Sequence, residues 1–138
     1  MTTEPVAAIP RMPDGAAYVA PGNDLPLHTA RAAVTDAIRI ACASGRRGLL
    51  ADFHGWNGGE NPSLALRIDS IFEWASAAEA SPGFVVALVI PLAFVDPGRI
   101  GFIIGRRLSF NFDVFGDVGD AITWMDAELA AMPPRGDD

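Results

Sequence analysis

The 138-residue chain has a hydrophobic fraction of 50%, seventeen carboxylates against ten basic residues, and a formal net charge of -7. That length holds one ordinary domain, and that hydrophobic fraction builds a core without disulfides or metals. All ten basic residues are arginines, and the acidic balance opposes nonspecific binding to nucleic acid or anionic lipid, which needs a positive face.

The single cysteine, Cys42, cannot form an internal disulfide and reads as a packing residue in a reducing compartment. Residues 1–13 carry Glu4 and three prolines where a signal peptide would need a basic end and an apolar run. The longest apolar stretch, 84–95, is interrupted by Pro91 and is far short of the roughly 20 residues of a membrane helix. A cytoplasmic, soluble protein with no membrane insertion is expected.

Residues 1–15 form an N-terminal segment in which Pro13-Asp14-Gly15 supplies a turn. The turn predicts a short hairpin of residues 6–9 with 16–20. Apolar residues at Ala33, Val34, Ala37, Ile38 and Ala41 then recur at helical spacing, giving a helix over 29–44 with Gly45 as its stop. Residues 48–53 read as a buried strand leading into a polar loop. Asn61-Pro62 looks like a cap followed by proline at the first helical position, and Leu64, Ile68, Ile71, Phe72 and Ala75 form the stripe of a second helix.

Residues 84–90 have no polar alternation, as a central strand covered on both faces requires. Asp96-Pro97 repeats the cap signal and opens a third helix with Ile100, Ile103 and Ile104 inward. Its Gly101-Phe102-Ile103-Ile104-Gly105 pattern marks close helix packing on the sheet. Phe110, Phe112 and Val114 alternate with Asn111 and Asp113 in a last strand, and Asp117 caps a final helix. The order predicts a single-domain α/β fold over 16–131: a mixed, mostly parallel sheet of four to five strands with about four helices in β-α repetition. An acidic disordered tail, 132–138, completes the chain.

Tyr18-Val19-Ala20-Pro21-Gly22-Asn23-Asp24-Leu25, followed by a helix and Leu49-Leu50-Ala51-Asp52-Phe53-His54-Gly55-Trp56, resembles the opening of STAS (anti-sigma-factor-antagonist) domains. Val89-Ile90-Pro91, Val95-Asp96-Pro97-Gly98-Arg99-Ile100-Gly101 and Val114-Phe115-Gly116-Asp117 look like a bacterial SpoIIAA-like subgroup. The resemblance implies a SpoIIAA-like fold and a regulatory module that binds a partner protein. In that family a serine in an Asp-Ser-Ser-Gly-Leu turn accepts phosphate. Here the stretch is Glu60-Asn61-Pro62-Ser63-Leu64, with asparagine and proline in the serine places.

The loop of residues 54–61 follows a strand and leads into a helix, where open α/β sheets bind ligands. Asp52, His54, Trp56, Asn61, Ser63, Arg67 and Asp96 therefore form the expected ligand or partner surface. Asp52 and Asp96 are read as strand ends, and Ser63 and Arg67 lie four apart on one helix face. The competing reading makes Arg67 the ion-pair partner of Asp52, Ser63 a first-turn residue and Asp96 only a cap.

No nucleophile elbow, Walker loop or zinc spacing is present, so neither a catalytic residue nor a cofactor nor a metal is expected. A non-catalytic interaction module is the leading expectation. The alternative is a binder of a small apolar or amphipathic molecule, as in the related CRAL-TRIO carriers, and an enzyme is the third and weakest reading. A homodimer is compatible with either.

Overall fold

The computed structural model describes residues 10–132. The elements run β1 (Ala16–Val19), α1 (Leu27–Ala43), β2 (Gly48–Asp52), α2 (Leu64–Ala77), β3 (Val85–Val89), a short 3-10 turn (Leu92–Phe94), α3 (Ile100–Arg107), β4 (Asn111–Phe115) and α4 (Val118–Ala131). The strands lie in the order β1-β2-β3-β4, every pair parallel. The expected strand at 6–9 and the tail at 133–138 lie outside the described residues. Among those described, no helix is long and apolar enough to cross a membrane.

A strand order that never reverses places every right-handed crossover helix on the same face of the sheet. Accordingly α1, α2 and α3 share one core with Leu49, Ala51, Phe53, Val86 and Phe112. The opposite face of the sheet packs Leu50, Val85, Ala87 and Val89 against Ala121, Met125 and Leu129 of α4. Both cores draw on β3, which explains its unbroken apolar run: Val86 and Leu88 face three helices while Val85, Ala87 and Val89 face one.

Local chemistry shifts several boundaries from the expected ones. Helix α2 is capped by Ser63, whose Oγ accepts from the Leu66 N–H at 3.2 Å, rather than by Asn61. It buries Ser70, Ile71 and Trp74, leaving Leu64 and Phe72 more than half exposed. The larger indole takes the inward face, which rotates the predicted stripe partly into solvent. Asp96 does not end a strand: it follows the 3-10 turn, and its Oδ2 accepts from the Ile100 N–H at 2.9 Å. Between them Arg99 takes a left-handed conformation, φ 54°. Asp117 caps α4 as expected, accepting from the Asp120 N–H at 3.0 Å.

The inward face of α3 is made by Gly101 and Gly105, with Ile103 exposed. The glycine pattern is a close-approach device. A Cβ on Gly101 would lie 3.0 Å from Phe112 Cε2, and one on Gly105 would lie 2.9 Å from the Phe110 carbonyl oxygen. A carbonyl in a strand junction cannot yield as a side chain can. Gly105→Ala is therefore expected to lose about 1–2 kcal/mol net, overpacking outweighing the roughly 1 kcal/mol gain in helix propensity. Denaturant unfolding checks this, with a lower midpoint at unchanged slope as the expected result.

Candidate functional site

A half-open cavity of about 120 Å³ lies between the three-helix layer and the carboxyl-terminal half of the sheet. Phe53, Leu88, Ile90, Phe112 and Val114 form its sheet side, and Ala30 and Ser70 are small residues in its helical wall. Its walls are overwhelmingly apolar. Trp74 lies against Phe112, ring centroids 5.8 Å apart, and Trp56 meets Phe94 edge-on, also at 5.8 Å.

Both indoles have their polar atom satisfied on backbone. Trp56 Nε1 donates to the Leu25 carbonyl at 2.8 Å and Trp74 Nε1 to the Arg31 carbonyl at 3.3 Å. With those donors engaged, the rings contribute apolar surface to the cavity. Ser70 is equally undemanding, because its hydroxyl donates back to the Leu66 carbonyl of its own helix at 2.8 Å.

Charged side chains gather at the cavity's edge. Arg31 pairs with Glu73 at 2.8 Å, and the Thr35 hydroxyl donates to the same carboxylate. That hydroxyl bond, with Arg31 beside it, holds Glu73 below the usual carboxylate range against the opposing effect of burial. Arg99 pairs with the buried Asp113 and lies over the Phe102 ring, 4.1 Å from its centroid. The other oxygen of Asp113 accepts from the Val114 N–H at 2.8 Å. Arg67 Nε donates to the Pro62 carbonyl at 3.2 Å, and Nη2 to the Phe94 carbonyl at 2.8 Å and to Asn61 Oδ1.

Of the residues singled out from the sequence, Trp56, Arg67 and Asp96 line this cavity and Asn61 holds Arg67. Ser63 is the exposed cap of α2. Asp52 and His54 form a separate cluster, and Asp52 makes no ion pair with Arg67. By strand alternation Asp52 shares the α4 side with Leu50, turning it away from the three-helix face. There, buried, it accepts from the Tyr18 hydroxyl at 2.5 Å and the His54 backbone N–H at 3.0 Å, with His54 Nδ1 at 2.7 Å.

Sequence reasoning missed Phe94, Trp74, Arg99 and Asp113. The signal for the last pair was present: an aspartate at a strand centre and an arginine after Asp96-Pro97-Gly98 are each poor choices unless matched. Among the described residues, no group of three or more His, Cys, Asp or Glu is arranged to hold a metal ion.

Tyr18 offers a direct readout of the Asp52 cluster. Burial, then the Asp52 hydrogen bond and the Asp52 charge, push its hydroxyl up to about 12. Because the folded value lies above the unfolded one, this group's contribution to stability is complete below about pH 10 and declines as pH rises toward 12. Asp52→Asn should lower the titration midpoint only part of the way, since burial is the larger cause. Alkaline ultraviolet titration of the chain's single tyrosine measures it.

Set against family models, curated proteins and solved structures, the chain has no significant match.

Proposed function

We propose that this domain is a non-catalytic binder of a small molecule with an apolar part, held between the sheet and α1, α2 and α3. The observation that carries this reading is the pocket: apolar walls, two tryptophans whose N–H groups are already satisfied, and a few charged side chains among the lining residues. Such a combination is the usual composition of a small-ligand site. Its volume of about 120 Å³ is close to that of an engineered apolar cavity of roughly 150 Å³ that takes up benzene. The occupant's buried part is accordingly of benzene size rather than a long acyl chain.

Toluene tests the cavity without involving any charged group. Saturating toluene should raise the melting temperature, because a ligand that binds only the folded state stabilises it by mass action. Ser70→Leu supplies the counterpart. The new side chain enters the cavity and the lost hydroxyl leaves no partner stranded, so the variant should melt no lower than the parent and should lose the toluene effect. An unchanged melting temperature of the parent in toluene would sink the reading.

A regulatory, partner-binding module of STAS type is the second reading, favoured by Leu64 and Phe72 standing more than half exposed on α2. The surface expected from the sequence reaches the start of this helix, at Ser63 and Arg67. Leu64→Glu and Phe72→Glu should each leave the folding stability within about 0.5 kcal/mol of the parent's. The double variant should abolish capture of any partner that the parent retains in a pull-down from its own host. Equal capture by both proteins would remove this reading.

A further inference from the structure

We infer that the occupant of the cavity is a short amphipathic monoanion, a small aliphatic or aryl carboxylic acid, with its carboxylate on Arg67. This rests on the cavity reading above and adds the headgroup to it. Three arginines line the cavity, and two of them, Arg31 and Arg99, are each paired with a carboxylate. Arg67 is different. Every acceptor it has is a neutral oxygen: two backbone carbonyls and the Asn61 side-chain amide.

Those three bonds fix the guanidinium in place and use the Nε hydrogen and both Nη2 hydrogens. A guanidinium has five donors, and the two on Nη1 have no acceptor among the described residues. The site thus holds a cation that is oriented by neutral groups, partly withdrawn from water, beside apolar walls. A cation in that setting lacks its counter-charge, and an anion with an apolar tail provides both the charge and the filling.

The carboxylates nearby set the charge of the ligand. Asp96 also lines the cavity, its Oδ2 engaged as the cap of Ile100, and Asp113 lies beside Arg99. In a chain of net charge -7 these two groups favour a single negative charge over a dianionic phosphate ester. Phe94, whose carbonyl holds Arg67, also packs its ring on Trp56, so the headgroup anchor and the apolar wall are one piece of backbone.

The test compares ligands with one tail and different heads on the full chain: hexanoate, 1-hexanol, hexylamine and hexyl phosphate, by titration calorimetry at low salt. Hexanoate should bind at least tenfold tighter than hexanol and tighter than hexyl phosphate, with hexylamine weakest. Arg67→Gln should bring hexanoate affinity down to that of hexanol measured on the same variant. Equal affinity for hexanoate and hexanol in the parent would overturn the headgroup assignment and leave the apolar cavity standing. Tightest binding of hexylamine would transfer the head to Asp96, and tightest binding of hexyl phosphate would overturn the monoanion. Binding of none of the four would overturn the cavity reading together with this one. The comparison of heads on the parent protein decides the matter even if Arg67→Gln does not fold.

Discussion

Because parallel strands follow one another in sequence order and the crossover hand is fixed, three helices must crowd one face of a four-stranded sheet while a single helix covers the other. Helix α3 rides on glycines against Phe110 and Phe112, and toward the carboxyl ends of the strands the small residues Ala30 and Ser70 line the pocket. The cavity is thus a product of topology and of small side chains acting together. It lies within the three-helix layer rather than at a reversal of strand order, which this sheet does not have.

Around that gap the polar groups divide the work by how they are neutralised. Glu73 ties α1 to α2 through Arg31 and Thr35, and Asp113 ties β4 to the start of α3 through Arg99. Both are clamps between elements that the apolar core alone would leave free to slide. The Asp52 cluster does the equivalent on the opposite face, joining β1 to the loop after β2 through Tyr18 and His54. Asp113 and Asp52 are buried while Arg99 and His54 are largely exposed, so loss of the exposed partner leaves a buried carboxylate with fewer hydrogen bonds. Arg67 is held by neutral oxygens instead.

The alternation of elements and the central place of β3 were legible because hydrophobic period and turn residues carry that information locally. The caps at Asp117 and Asp96 were legible for the same reason, although Asp96 reaches its N–H across an intervening left-handed Arg99. What the sequence concealed was rotation. A stripe of apolar residues at helical spacing on α2 admits more than one inward face, and only the competition between Trp74 and Phe72 for the sheet decides it. The candidate site divided in the same way. Arg67, Trp56 and Asp96 meet at one cavity, whereas Asp52 is sent to the far face by strand parity, a difference of one residue in register.

Strand β4 forms the outer edge of the sheet beyond β3, and an edge strand with free donors invites a second chain to extend the ladder. Asp113 answers that hazard with its own side chain. One carboxylate oxygen takes the N–H of Val114, a donor that the ladder to β3 does not engage, and the other is fastened to Arg99. An incoming strand would have to displace an intrachain bond and strip an ion pair to reach that amide. A residue that looks misplaced in a hydrophobic alternation thereby occupies one donor on the β4 edge, and a change to valine at the same position would free that donor in exchange for a smoother strand.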